Sequence, residues 1–189
     1  MDIVRRHVRR AWIGAALVLL APAAPAAGSG PGLYVGDSLG VGTHPQLAAL
    51  LRGVPIAGDT RIGRTSTEGL AVLRSKLRRV HRIAIFDLGS NDARPATLAR
   101  NLERARALTG ERLMVVLTLN KPGAGRFNRA IRAFARSTSN VALVDWHATA
   151  GREQLLAGDG IHASATGYRR RATLIADAIS RPAAGPSRP

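Results

Sequence analysis

The chain has 189 residues, no cysteine, and a formal net charge of +16 from 28 basic and 12 acidic side chains. Without cysteine it forms no disulfide and no thiolate zinc site, so packing alone must stabilise it. The arginines are scattered, Arg169-Arg170-Arg171 being the longest run, and the few aromatic residues form no repeated platform for stacking bases, which argues against specific nucleic-acid binding.

Residues 1–26 read as a secretory signal peptide. Arg5, Arg6, Arg9 and Arg10 precede an apolar run from Ala11 to Ala21, and small residues close the segment at Ala24-Pro25-Ala26-Ala27. The apolar run falls short of the roughly 20 residues that a membrane-spanning helix needs. Cleavage after Ala26 is expected to leave 163 residues with a net charge of +13, enough for one domain over 27–180 with a loose tail at 181–189. The expected location is extracytoplasmic, in the cell envelope or beyond it.

The remaining chain alternates short apolar runs with helical periodicity. Strands are expected at Leu33 to Val35, Val54 to Ala57, Ile83 to Leu88, Leu113 to Leu119 and Val141 to Val144. Helices are expected at Pro45 to Arg52, Thr67 to Arg79, Ala96 to Leu108, Arg126 to Ser137 and about Ala165 to Ile179. In the second of these, Leu70, Leu73 and Leu77 form one apolar stripe while Arg74, Lys76, Arg78 and Arg79 take other faces. Runs apolar on both faces, alternating with helices, predict an α/β fold whose parallel sheet of about five strands is covered on both sides.

In such a fold, ligands bind where loops leave the carboxyl ends of the strands. Those positions hold Asp37-Ser38, Asp59 to Thr67, Ser90-Asn91-Asp92, Thr118 and Asn120, and Asp145 with His147; Asp159 and His162 precede the last helix. A serine hydroxyl becomes a nucleophile when a base takes its proton, and an imidazole serves as that base when a third group orients it. Ser38 offers the hydroxyl, and Asp159 and His162, three residues apart in "GDGIH", offer the acid and the base. Acyl transfer also needs oxyanion donors, for which the Asn91 amide and the Gly63 N–H are candidates, and the glycines around Ser38 are read as exposing backbone N–H groups to substrate. Asp145 and His147 leave a metal site open as an alternative. "GDSLGVG" lacks the lysine of a phosphate-binding P-loop, the GxGxxG order of dinucleotide binders and the GxSxG pattern of a nucleophile elbow.

These residues coincide with a known pattern. The sequence resembles the GDSL, or SGNH, hydrolases in Gly36-Asp37-Ser38-Leu39, Gly89-Ser90-Asn91-Asp92 and Asp159-Gly160-Ile161-His162, with Gly63 as the match to the second block. The resemblance implies a three-layer, flavodoxin-like α/β/α sandwich and no metal or organic cofactor. It implies Ser38 as nucleophile, His162 as general base and acid, Asp159 as its orienting partner, and Ser38 N–H, Gly63 N–H and the Asn91 amide as oxyanion hole. Members are mostly carboxylic ester hydrolases. "NVALVDWHATA", leading into "DGIHASATGYRRRA", is similar to SGNH domains appended to membrane acyltransferases that O-acetylate cell-wall glycans. Because no such membrane part is in this sequence, the expectation is a free-standing secreted esterase acting on carboxylic esters, O-acetylated carbohydrate among them. The alternatives are an O-acyltransferase to cell-wall glycan and a non-catalytic basic module that binds anionic wall polymer. A shallow, open site for small acyl groups is expected.

Overall fold

The computed structural model describes residues 30–51 and 53–181; the predicted leader and all of the predicted tail except Arg181 lie outside them. Along the chain come β1 (Gly32–Gly36), α1 (Ser38–Leu50), β2 (Ile56–Thr60), α2 (Ser66–Lys76), β3 (Ile83–Asp87), α3 (Pro95–Thr109), β4 (Leu113–Leu117), α4 (Ala124–Ser137), β5 (Val141–Val144), α5 (Trp146–Glu153) and α6 (Ala165–Ser180). The five strands form one parallel sheet in the order β2-β1-β3-β4-β5.

Strands β1, β3 and β4 are buried at every position. Successive side chains point to opposite faces of the sheet. Leu33, Val35, Ala84, Phe86, Met114 and Val116 pack beneath α2, α3 and α4, whereas Tyr34, Ile83, Ile85, Leu113, Val115 and Leu117 pack beneath α1, α5 and α6. The result is the three-layer α/β/α sandwich expected from the sequence.

The strand order reverses at β1, which connects outward to β2 on one side while the chain then returns to β3 on the other. Parallel crossovers are right-handed, so the crossover helix of the reversed step must cover the opposite face from its successors. That helix is α1, packed on the face opposite α2, α3 and α4. The reversal opens a crevice between the carboxyl ends of β1 and β3, the usual ligand position in such sheets.

Three elements differ from the sequence reading. Helix α1 starts at Ser38, seven residues before the expected Pro45, because Asp37 caps it by accepting from Leu39 N–H at 2.9 Å. Gly40, Gly42 and Pro45 hide that helix in the sequence, since all three are poor helix formers. These glycines serve packing: a Cβ on Gly40 would lie 2.9 Å from Thr60 Cγ2, and one on Gly42 would lie 2.5 Å from the Tyr168 ring. Strand β2 runs to Thr60, so Asp59 and Thr60 end an edge strand instead of opening a loop. Helix α5 was not expected at all; Asp145 caps it and Trp146, fully buried, anchors it.

Asp37 is fully buried, and its second carboxylate oxygen has no hydrogen-bond partner. Burial, together with the negative charge of Asp87, pushes its carboxyl up from 3.8 to about 6. A raised carboxyl value means the fold favours the protonated form. The stability it contributes is complete below about pH 4 and is lost as pH rises through 6. Asp37→Asn keeps the capping oxygen without the charge. Its melting temperature relative to the parent should therefore climb between pH 4 and pH 7.5, measured by circular dichroism, and a difference independent of pH would contradict this account.

The loop 155–164 returns on itself through the Leu156–Ala163 bridge and the Ala157 N–H to His162 carbonyl bond of 2.8 Å. It presses so closely on α6 that a Cβ on Gly167 would stand 2.2 Å from the Leu155 carbonyl oxygen. Gly167→Ala should consequently cost about 1–3 kcal/mol in chemical denaturation, the usual range for overpacking.

Candidate active site

Ser38 is the first residue of α1, so its N–H has no intrahelical acceptor and faces out of the positive end of the helix. Its hydroxyl lies 2.9 Å from His162 Nε2, although 124 positions separate the two residues. His162 sits in the 155–164 loop, where Gly160, at φ +69°, allows the chain to turn sharply. Within that turn Asp159 does two tasks. One carboxylate oxygen accepts from the N–H groups of Ile161 and His162, both at 2.9 Å, and the other meets His162 Nδ1 at 2.6 Å.

The hydrogen bond from the His162 ring, followed by those two N–H groups, holds the Asp159 carboxyl down at about 2. An ionised carboxylate only accepts hydrogen bonds, so Nδ1 carries the imidazole proton and Nε2 presents its lone pair to Ser38. This is the orientation in which a histidine can take a hydroxyl proton. The Asp159 and His162 side chains are 48% and 41% exposed, which makes the arrangement open to solvent.

The other two predicted residues are brought together beside it. Gly63 lies in the turn after β2 at φ +76°, and Asn91 lies in the turn after β3 that is closed by the Asp92 N–H to Gly89 carbonyl bond of 3.2 Å. The Asn91 amide donates to the Arg64 carbonyl at 3.1 Å, which pins it against the Gly63 turn and leaves its second N–H free of that bond. The Arg64 side chain runs inward, donating to the Gly36 carbonyl at 3.2 Å, to the Asp59 carbonyl, and to the Asp59 carboxylate at 2.6 Å. Through this buried arginine, the loop bearing Gly63 is fastened two residues before Ser38.

Asp145 and His147 belong to a different group. Asp145 caps α5 and binds Arg132 at 2.9 Å and the Thr118 hydroxyl at 2.9 Å, while His147 Nδ1 meets Asn120 Oδ1 at 2.6 Å. Among the described residues no three His, Cys, Asp or Glu side chains converge as metal ligands would. At Asp145 and His147 the metal alternative thus finds no third ligand among the described residues, and the Asp145 carboxylate is held by Arg132 and Thr118 and His147 Nδ1 by Asn120.

Three supporting residues have a role that the sequence reading does not assign, although Asp92 stands in its Ser90-Asn91-Asp92 stretch and Arg64 in its Asp59 to Thr67 stretch. Besides Arg64, Asp92 accepts from Ser66 N–H at 2.8 Å and so ties the Asn91 turn to the start of α2. Lys121 reaches across from the loop after β4 to the carbonyls of Asp92 and Gly89 at 2.6 and 3.4 Å, its ammonium 4.2 Å from the Phe127 ring centre. A signal for Lys121 exists, because the chain has only two lysines among its 28 basic residues; nothing in the sequence marks Arg64 among so many arginines.

No family model matches the sequence, and no curated protein matches it. Solved structures do match in three dimensions. The C-terminal catalytic domain of peptidoglycan O-acetyltransferase A from Streptococcus pneumoniae is 18% identical, with a TM-score of 0.67 over 84% of this chain and 98% of that one. A lipase/acylhydrolase from Enterococcus faecalis is 18% identical, with a TM-score of 0.70 over 85% of this chain and 100% of that one. TesA is 25% identical, with a TM-score of 0.64 over 79% of this chain and 97% of that one. Lipolytic proteins of the G-D-S-L family, from Veillonella parvula among others, match with comparable scores. A sheet that reverses at its first strand, and sets a serine there opposite an Asp-x-x-His turn, gives this chain the fold of the GDSL/SGNH hydrolases.

Proposed function

We propose that the protein is an exported serine esterase that hydrolyses small carboxylic esters, O-acetylated carbohydrate among them, through a covalent acyl-enzyme. The observation that carries this reading is the continuous chain of hydrogen bonds from the Ser38 hydroxyl through His162 to an ionised Asp159. Ser38 Oγ attacks the ester carbonyl carbon while its proton passes to His162 Nε2. The imidazolium that forms is stabilised by Asp159, which stays ionised. Negative charge on the former carbonyl oxygen is met by the Ser38 N–H at the head of α1, the Gly63 N–H and the free N–H of the Asn91 amide. Collapse breaks the bond to the alcohol oxygen, which leaves with the His162 proton. Water then enters, loses a proton to His162, attacks the acyl carbon, and releases the acid as Ser38 recovers its proton.

The exposure of Asp159 and His162 suits a substrate carried on a bulky glycan, since little wall stands between the solvent and the reacting atoms. A second reading keeps the acyl-enzyme and replaces water by a sugar hydroxyl. It is favoured by the likeness to the pneumococcal peptidoglycan O-acetyltransferase domain. Mass spectrometry of products formed with added glycan separates the two: free acid alone means hydrolysis, whereas acylated glycan means transfer. Export rests on the leader pattern of residues 1–26, and the net charge would draw the protein to anionic wall polymer. An N-terminus at Ala27 on protein recovered outside the cell is the expected result.

Ser38→Ala should lose about four or more orders of magnitude in kcat on a short-chain chromogenic ester, and should no longer react with a serine-directed phosphonate. Parental turnover by this variant would end the proposal, and a folded parent that takes no label would favour the non-catalytic module. Asp159→Asn should lose about 10³–10⁴-fold in kcat, because a neutral amide no longer enforces the Nδ1–H tautomer. For Asn91→Ala the expected loss is about 10²–10³-fold in kcat with little change in KM, as for removal of one oxyanion donor. A change confined to KM would remove Asn91 from that role.

A further inference from the structure

One guanidinium lies at the crossing of the elements that carry the site. Arg171, on α6, has no exposed surface. It grips the carboxylate of Asp87 with both Nη atoms, each at 2.6 Å, and also donates to the Thr43 hydroxyl at 3.2 Å and to the Tyr34 hydroxyl at 3.4 Å. Tyr34 in turn donates to Asp87 at 2.6 Å, and the Trp146 ring centre lies 5.6 Å from the Arg171 guanidinium carbon.

Every partner belongs to an element that leads to a site residue. Asp87 ends β3, pairs in register with Gly36, and accepts from the Asp37 N–H through its carbonyl at 3.3 Å; the Asn91 turn follows it. Thr43 stands on α1 a turn and a half beyond Ser38, and its hydroxyl also donates to the Leu39 carbonyl at 2.7 Å. Helix α6 emerges from the loop that holds Asp159 and His162, against which Gly167 is packed. The nucleophile's helix, through Thr43, and the base's helix, which carries Arg171, thus meet at one guanidinium seated on Asp87.

Stability does not account for this arrangement. Exchanging a buried ion pair for apolar side chains of similar volume is often neutral or stabilising. What a bidentate arginine–carboxylate pair supplies is fixed distance and fixed angle. The Ser38 to His162 hydrogen bond requires such a constraint, because it spans two elements far apart in sequence and a misplacement of 1 Å can cost about 10²-fold in rate.

We propose that Arg171, seated on Asp87, is a positioning residue that fixes α1 against α6 and thereby holds the Ser38 hydroxyl within hydrogen-bond reach of His162. The kinetic consequences rest on the esterase reading above, whereas the distance itself does not.

The test compares Arg171→Lys with Ile131→Ala, a core truncation on the opposite face of the sheet, at a temperature where circular dichroism shows both folded. Lysine keeps the charge and loses the fork. The expected result for Arg171→Lys is a fall of about 10²-fold in kcat with KM within about twofold, an equal fall in phosphonate labelling rate, and a crystallographic Ser38–His162 separation beyond about 3.5 Å. Ile131→Ala should lose melting temperature while keeping kcat within about twofold. A double variant, Asp87→Leu with Arg171→Met, should recover melting temperature and keep the kinetic deficit. Should Arg171→Lys not fold, Thr43→Val is read by the same measurements with a smaller expected loss. Parental kcat and labelling in the arginine variant, or an unmoved Ser38–His162 distance, would overturn the inference. A parent protein that neither hydrolyses esters nor takes the label defeats the esterase reading instead, and the distance in the variant still decides whether Arg171 positions Ser38.

Discussion

The handedness of parallel crossovers is the constraint on which the rest of this structure depends. Because the first crossover steps to β2 and the later ones step the other way, α1 must lie across the sheet from α2, α3 and α4. The carboxyl ends of β1 and β3 then splay their connections apart, and the head of α1 looks into the gap. Ser38, at the head of that helix, combines a helical N–H with no intrahelical acceptor and a hydroxyl on the same residue. The turns with Gly63 and Asn91 flank it because they follow the neighbouring strands, and Arg64 braces the first from within while Lys121 braces the second from the loop after β4.

Three carboxylates near this serine show how position divides one chemistry into three uses. Asp159 stands in water with three hydrogen-bond donors and stays ionised far below neutrality. Asp37, adjacent to Ser38 in sequence, is buried with one oxygen unpartnered and gains its proton more readily than an ordinary aspartate. Asp87 is buried as well, yet the bidentate arginine meets it directly. The residue next to Ser38 is therefore a helix cap, while the carboxylate that meets the His162 imidazole arrives from the last loop.

Much of this was legible in the sequence where a local pattern reports a local cause. The central strands announce themselves because burial on both faces demands unbroken apolar runs. Ser38, Asp159 and His162 stand out as polar residues in short motifs at a strand end and in a turn, and the fold brings them together, whereas Asp145, picked out in the same way, caps α5. The beginning of α1 and the whole of α5 were not legible, since glycines chosen for close contact with Thr60 and Tyr168 erase a helix's propensity, and an Asp-Trp-His stretch looks like a loop. The clearest failure is the run Arg169-Arg170-Arg171. Three identical residues have three fates: one exposed, one paired with Glu153 at 3.0 Å, and one buried on Asp87. Only the phase of α6 against the sheet separates them, and that phase is a tertiary fact.

The closeness of Asp159 to His162 in sequence has a consequence for assembly. A pair three residues apart, held by backbone N–H groups of its own turn, costs almost no loop-closure entropy and can exist before the chain is folded. The contact from Ser38 to His162 is the reverse case, closing a span of 124 positions and requiring every strand in between to be in register. Asp159 and His162 thus form a local pair, whereas Ser38 reaches them only across the assembled sheet. On the esterase reading proposed above, reactivity at Ser38 is a direct gauge of complete folding, since a partly folded chain holds the Asp159–His162 pair without the serine.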